Sequence, residues 1–363
     1  MSPYFIGIMS GTSLDGLDAV LVRFTGEVPE VDLHHSQAWH TELKHLLLAL
    51  NTPSHDELHK AAQAGNILAD AYAAAVDHLL QAARLSPEGI TAIGCHGQTV
   101  RHRPDLGYSL QLVNAARLAE LTHISVISDF RSRDIAAGGQ GAPLVPAFHR
   151  AAFYNGERHR VIINIGGISN LTNLPPNAPM NGFDCGPGNL LMDAWIKKHQ
   201  GLEFDAQGHW AASGKILPEL LSTLLGHSYF NLAPPKSTGR DIFNLAWLES
   251  QLTNGYEPQD VQASLLELTV ETIGRAMEKN CQGAQEIYLC GGGAYNSQLL
   301  SRLRLRLPAI KIALSEELNI PAQQMEATAF AWLAKQTLEH RPGNCPEATG
   351  ARGPRVLGAI YPA

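Results

Sequence analysis

The sequence predicts an α/β protein of two domains, and three observations carry that reading. At 363 residues the chain is long for one domain and suits two of roughly 150–200 residues. Apolar β-prone runs alternate with stretches of helical period, the pattern of layered α/β architecture. One piece of punctuation also occurs twice, beginning at Phe5 and again at Val161. In each, an apolar run meets a turn rich in Gly, Ser, Thr and Asn and then a second apolar run, which reads as a β-hairpin. A hairpin near the start of each half implies a weak internal duplication.

The first hairpin is Phe5-Ile-Gly-Ile-Met-Ser-Gly-Thr-Ser-Leu-Asp-Gly16 followed by Ala19-Val-Leu-Val-Arg-Phe24. Residues 57–83 place Leu58, Ala61, Ala62, Ile67, Leu68, Ala71, Ala75, Val76, Leu79 and Leu80 near a 3.6 period, so a helix is expected there. A strand from Ile90 to Cys95 then meets His96-Gly97-Gln98-Thr99, read as a loop. A helix opens near Asn114, and a strand runs from His123 to Ser128. The second hairpin is Val161-Ile-Ile-Asn-Ile-Gly-Gly-Ile-Ser-Asn-Leu-Thr-Asn-Leu174. Pro187 suits a first helical turn, with Gly201 as the stop. A helix over about 258–281, a strand Glu286 to Cys290, the turn Gly291-Gly-Gly-Ala-Tyr-Asn296 leading to a helix, a strand Ile310 to Leu314 and a helix over about 321–339 complete the pattern. Residues 341–355, rich in Pro, Gly and Arg, read as loop. The expected domains are 1–128 and 129–340, with the tail 341–363 returning to the first. Ligands of such folds bind in the cleft between domains and at the carboxyl ends of strands.

Several classes are excluded. No run of about 18 uncharged apolar residues marks a membrane span. The N-terminus lacks the basic and long apolar regions of a secretory signal. Five widely spaced cysteines form no CxxC pair, which suits reduced thiols in a cytoplasmic protein. A net charge of −7 without a basic run argues against a nucleic-acid partner. The sixteen histidines form no HExxH, so a histidine metal centre is not expected.

For phosphate chemistry, a P-loop is excluded because Ile216 follows Gly214-Lys215. Gly186-Pro-Gly188 has Leu191 where the third glycine of a dinucleotide fingerprint belongs. What remains is the hairpin turn Ser10-Gly-Thr-Ser-Leu-Asp-Gly16. A tight glycine turn there aims N–H groups at one point and can wrap phosphate oxygens, with Asp15 or Asp18 holding hydrated Mg²⁺. The other reading is an ordinary turn. Gly166, Gly167, Ser169 and Asn170 offer the same chemistry in the second half, or form a second ordinary hairpin turn. Asp184, in Gly182-Phe-Asp-Cys-Gly-Pro-Gly-Asn189, has two readings: a general base, or a helix cap. Gly97, Gln98 and Thr99, with Arg131 or Arg133, follow predicted strands and suit ligand contacts, although isolated arginines commonly form surface ion pairs. Gly291, Gly292 and Gly293 permit flat contact with a ring such as adenine, or make a plain strand-to-helix connection. Glu326 alone reads as an acidic residue of a first helical turn.

The ordered motifs Gly7-Ile-Met-Ser-Gly-Thr-Ser-Leu-Asp-Gly16, Cys95-His-Gly-Gln-Thr99, Ala136-Ala-Gly-Gly-Gln-Gly-Ala-Pro-Leu-Val145, Asn164-Ile-Gly-Gly-Ile-Ser-Asn170, Phe183-Asp-Cys-Gly-Pro-Gly-Asn189, Lys236-Ser-Thr-Gly-Arg-Asp241 and Cys290-Gly-Gly-Gly-Ala-Tyr-Asn296 resemble the 1,6-anhydro-N-acetylmuramic acid kinase family, from about residue 4 to 335. The resemblance implies a two-domain actin-like ATPase (ribonuclease H-like) fold: a duplicated mixed β-sheet flanked by helices, with ATP and Mg²⁺ in an interdomain cleft. It implies hydrolytic opening of the anhydro ring and phosphorylation of O6, in cytoplasmic peptidoglycan recycling, by a homodimer. By resemblance, Asp184 activates the water and residues 11–18 wrap the ATP phosphates. Gly97, Gln98, Thr99, Arg131 and Glu326 are sugar contacts. Cys185 departs from the family pattern, which more often has Thr there.

Overall fold

The computed structural model describes residues 4–12, 14–252 and 255–363. Two compact units form, Met1–Ala152 with Gln324–Ala363, and Phe153–Gln323.

The first unit is built on β1 (Tyr4–Ser10), β2 (Gly16–Thr25), β3 (Val28–Ala38), β4 (Ile90–Arg103), β5 (Tyr108–Leu112) and β6 (Val126–Ser128). The sheet order is β6-β4-β1-β2-β3, with β5 beside β4 and a C-terminal strand, Ala359–Tyr361, on the outer edge of β6. Strands β1, β2 and β3 are antiparallel neighbours, and β1, β4 and β6 run parallel. Helices cover both faces of β1, so its apolar residues run continuously and do not alternate. Ile6 and Ile8 pack with Leu68, Tyr72 and Val76 of the helix Glu57–Ala83. On the other face lies the helix Met325–Leu338. Gly7 and Gly94 are register partners beneath it. A Cβ on either would come within 1.8 Å of the Ala327 carbonyl oxygen or 2.0 Å of that of Phe330. Helix backbone therefore lies directly on sheet backbone.

That contact explains where the division of the chain differs from the expected boundaries at 128/129 and 340. The helix Met325–Leu338 belongs to the first sheet, and the chain stays with the first unit as far as Ala152. The Glu27 carboxylate at the β2–β3 turn adds a tie, accepting from Trp332 Nε1, Lys335 Nζ, Gln336 Nε2 and Arg341 Nη1.

The second unit contains β7 (Arg160–Ile165), β8 (Ile168–Leu174), β9 (Asn181–Pro187), β10 (Glu286–Cys290) and β11 (Lys311–Leu314), in the order β11-β10-β7-β8-β9. Polarity again follows the first sheet: β7, β8 and β9 are antiparallel neighbours, while β7, β10 and β11 run parallel. The same order and polarity occur twice, as the paired hairpins imply. This is the duplicated mixed sheet of the actin-like, ribonuclease H-like fold. The helix Pro258–Asn280 begins on its proline and is buried over most of its surface.

Some local expectations differ. Residues 96–99 lie inside β4, not in a loop after it, because Gly97 adopts φ +75° at a register shift that lets the strand continue. Pro187 ends β9, and the following helix, Leu190–Gln200, starts later and stops at Gly201 as expected. The tail is not all loop: it contains the short helix Pro346–Thr349 and the C-terminal strand. Among the described residues, no helix is long and apolar enough to cross a membrane.

Candidate active site

In the first unit, residues 11–15 connect β1 to β2, and the Leu14 N–H closes a turn on the Gly11 carbonyl at 3.2 Å. Leu14 adopts φ +61°, and both Leu14 and Leu17 are buried in the core. These two candidates offer a ligand only their backbone. Thr12 and Asp15 are exposed, and Ser13 lies outside the described residues. Asp15 Oδ1 is 3.8 Å from Lys44 Nζ, and Asp18 Oδ1 is 2.9 Å from His34 Nε2. The parallel pairing of β1 and β4 brings Gly97 and Gln98 against this turn. Ser10 Oγ donates to the Gly97 carbonyl at 3.1 Å, and Gln98 Nε2 donates to the Gly11 carbonyl at 3.0 Å. Gln98, read from the sequence as a sugar contact, is thus bonded to the turn between β1 and β2. Thr99 Oγ1 accepts from Gln111 Nε2 at 3.1 Å.

Arg131 follows β6 and is held in a fixed plane. Its Nε and Nη2 donate to His96 Nε2 at 3.2 and 2.9 Å, and Nη1 donates to the Gly141 carbonyl at 2.6 Å. An imidazole nitrogen that accepts must be unprotonated, so His96 is neutral with its proton on Nδ1. Burial drives its pKa well below the ordinary histidine value, and the Arg131 charge adds to the shift. Glu326 sits in the first turn of the helix Met325–Leu338. Burial raises its carboxyl pKa; Arg131 opposes that rise and Asp18 adds to it. The first unit therefore brings Asp18, Arg131 and Glu326 into one electrostatic neighbourhood. Arg133 is exposed and, among the described residues, has no such tie.

In the second unit, Asp184 lies within β9, opposite Asn170 of β8. The helix-cap reading is excluded, because the residue preceding the helix Leu190–Gln200 is Asn189. The segment carrying Lys236 and Thr238 holds Asp184. The Thr238 N–H donates to Asp184 Oδ2 at 2.9 Å, the Asp184 N–H donates to the Lys236 carbonyl at 3.1 Å, and Tyr229 Oη donates to the Asp184 carbonyl at 2.8 Å. Lys236 Nζ lies 4.6 Å from the centre of the Tyr229 ring. Burial lowers the Lys236 pKa, although Cys185 and Asp184 nearby oppose that shift. Cys185 is itself buried, and burial raises its thiol pKa well above the ordinary value.

The glycine segments of this unit converge where the parallel strands β7 and β10 end, the usual ligand position in α/β sheets. The Gly188 and Leu190 N–H groups donate to the Gly167 carbonyl at 2.8 and 3.1 Å, and the Asn189 N–H donates to the Gly166 carbonyl at 2.8 Å. Gly291 adopts φ +81°, and a Cβ there would come within 2.2 Å of Asn164 Oδ1. Gly292 is exposed with open space beside it, while Gly293 is buried. The Ser169 hydroxyl donates to the Gly186 carbonyl at 3.1 Å, an internal tie.

Sequence reasoning missed Tyr229, Lys236 and Thr238 as supports of Asp184, and His96 and Gly141 as supports of Arg131. Lys236, Thr238 and His96 stand in motifs that were visible, but no spacing rule reports which distant carbonyl or carboxylate a loop will meet.

The family model of anhydro-N-acetylmuramic acid kinase matches residues 3–363. The chain is 55% identical to the anhydro-N-acetylmuramic acid kinase of Nitrosomonas europaea over 364 aligned residues, covering 99% of this chain and 100% of that protein. It is 54% identical to the enzyme of that name from Nitrosospira multiformis, covering 99% of each. Component A of the (R)-2-hydroxyglutaryl-CoA dehydratase of Acidaminococcus fermentans, a solved structure, aligns with a TM-score of 0.50 at 15% identity. That alignment covers 91% of this chain and 97% of that one, a likeness of fold alone. Two matched α/β units, a family match over nearly the whole chain and relatives above half identity agree: the chain belongs to the anhydro-N-acetylmuramic acid kinase family and is a kinase.

Proposed function

We propose that the protein uses ATP to convert 1,6-anhydro-N-acetylmuramic acid to N-acetylmuramate 6-phosphate and ADP, a step of peptidoglycan recycling. The observation that carries this reading is the Asp184 carboxylate, fixed in β9 by the Thr238 N–H in a chain of this family. Asp184 takes a proton from water as the water oxygen bonds to C1 of the sugar. The C1–O6 bond breaks with its electron pair on O6. O6 then bonds to the γ-phosphorus, and the bond from that phosphorus to the β-phosphate bridging oxygen breaks, releasing ADP. No separate acid is needed for O6, because the departing oxygen is itself the phosphoryl acceptor.

In this reading the main chain of residues 11–18 and of Gly166 and Gly167, with the Asn170 side chain, serves the phosphates. Gly291, Gly292 and Gly293 face the base. Arg131, Glu326, Gly97, Gln98 and Thr99 serve the sugar. Ser169 supports the second turn from behind. Asp18 and Asp15 suit Mg²⁺, which needs one or two carboxylates and otherwise keeps water and phosphate oxygens. Bound there, the cation would neutralise charge on the transferred phosphate. A homodimer working in the cytoplasm is part of the same proposal.

The test is incubation with ATP and the anhydro sugar in H₂¹⁸O, followed by mass spectrometry. A phosphosugar with one ¹⁸O on the anomeric carbon and none on phosphorus is expected. Turnover of a simple hexose with none of the anhydro sugar would overturn the proposal.

A further inference from the structure

Asp134 is fully buried and, among the described residues, has no ion-pair partner. Its Oδ1 accepts from Asn344 Nδ2 at 2.7 Å and from Thr349 Oγ1 at 2.8 Å. Its Oδ2 accepts from the Gly141 N–H at 2.8 Å. A buried carboxylate facing only neutral donors is a costly way to hold a loop, so the loop has to be one whose position matters. Gly141 is such a position: its carbonyl accepts from Arg131 Nη1 at 2.6 Å. Gly141 adopts φ +68°, and a Cβ there would meet Ile135 side-chain carbons at 2.8 Å, so the turn has little room to drift. Two main-chain bonds tie the same loop to the C-terminal segment, Gln140 N–H to the Thr349 carbonyl at 2.8 Å and Arg352 N–H to the Ala137 carbonyl at 2.9 Å.

We propose that Asp134 is a positioning residue for the sugar site. With Asn344 and Thr349 it fixes Gly141, and Gly141 with His96 fixes the plane of the Arg131 guanidinium. This rests on the reading of Arg131 as a sugar contact.

The experiment measures steady-state kinetics of the full chain with ATP and anhydro-N-acetylmuramic acid. Asp134→Asn lacks the second acceptor oxygen, so the KM for the sugar should rise about tenfold, with kcat and the KM for ATP within about twofold of the parent. Thr349→Val, which removes one donor, should raise the sugar KM about threefold. The exchange Asp134→Asn with Asn344→Asp restores a donor–acceptor pair between the two side chains and leaves an oxygen for the Gly141 N–H but removes the acceptor of the Thr349 hydroxyl, so it should bring the sugar KM down only to about the Thr349→Val level. A loss spread equally over kcat and both KM values, or an unchanged sugar KM in Asp134→Asn, would overturn the proposal. If Asp134→Asn fails to fold, Thr349→Val decides alone: a raised sugar KM supports it and an unchanged one defeats it. A parent protein inactive on the anhydro sugar would sink the functional reading and this inference together, whereas an active parent with indifferent variants would sink only this inference.

Discussion

The Thr238 N–H donates to the Asp184 carboxylate at 2.9 Å across 54 positions of sequence. A main-chain donor cannot rotate away, so the carboxylate is aimed by the fold and not by its own rotamer. Its neighbours Tyr229 and Lys236 bond to the Asp184 backbone and fix the strand from which it projects. Preorganisation of this kind suits a base that must meet one water in one place.

Replacing Asp184 with Asn keeps an acceptor for the Thr238 N–H and removes only the basicity. The kcat for phosphorylation should fall by a factor of about 10² to 10⁴, while ATP affinity changes little. Single-turnover kinetics with a separate nucleotide titration checks this. Near-parent turnover would reduce Asp184 to a structural residue.

Lys236→Met should separate stability from activity. Burial lowers the lysine pKa in the folded state. The folded protein thus holds this proton less readily than the unfolded chain does. The resulting destabilisation is present below the folded-state value and is relieved as pH rises through it. At pH 7 the variant should therefore melt no lower than the parent. Its kcat should fall about tenfold, because the segment presenting Thr238 loses the ammonium packed on Tyr229. Melting curves and kcat measured on one preparation check both halves, and a lowered melting temperature at pH 7 would contradict the first.

Glu326→Gln tests the electrostatics of the first unit through pH. Burial raises the Glu326 pKa from 4.5, with Arg131 opposing and Asp18 adding. Below about 4.5 the group is protonated in both states and costs nothing. As pH rises through the folded value, the buried carboxyl must ionise and stability is lost. The melting temperature of the variant relative to the parent should therefore rise between acid and neutral pH, measured without metal or nucleotide. A difference that is flat with pH would refute the assignment. The sugar KM should rise in the same variant if Glu326 contacts the sugar.

Legibility in the sequence followed the range of the interactions. The hairpins Tyr4–Thr25 and Arg160–Leu174 were readable because strand period and turn residues are local signals. The helix Glu57–Ala83 was readable from its apolar stripe, and Asn114 from its capping position, where its side chain accepts from the Arg117 N–H. Gly97 misled because a glycine at positive φ serves a bulge as well as a turn. The side chain of Asp184 was legible as chemistry but not as strand, since its support comes from Tyr229, Lys236 and Thr238. Asp134 was invisible for the same reason, being joined to Asn344 across 210 positions. The return of the helix Met325–Leu338 to the first sheet was equally hidden, because what admits it is the absence of side chains at Gly7 and Gly94.

Those two glycines supply the last prediction. A methyl group at Gly94 would lie 2.0 Å from the Phe330 carbonyl oxygen and 3.1 Å from Ala334 Cβ. Backbone on both sides cannot yield as a side chain does, so the helix must lift from the sheet or the strand must bend. Overpacking of this kind typically costs about 1–3 kcal/mol, and contact with unyielding backbone puts this site at the upper end. Gly94→Ala should therefore lower the urea midpoint strongly, with Gly7→Ala, at 1.8 Å from the Ala327 oxygen, at least as severe. Gly156→Ala is the control: it is exposed, and an added Cβ meets no atom within 4 Å, so its effect should stay within about 0.5 kcal/mol. If Gly94→Ala unfolds at the parent midpoint, the close seating of this helix on β1 and β4 is wrong. The placement of Glu326, one residue before Ala327 on the same helix, would then be wrong with it.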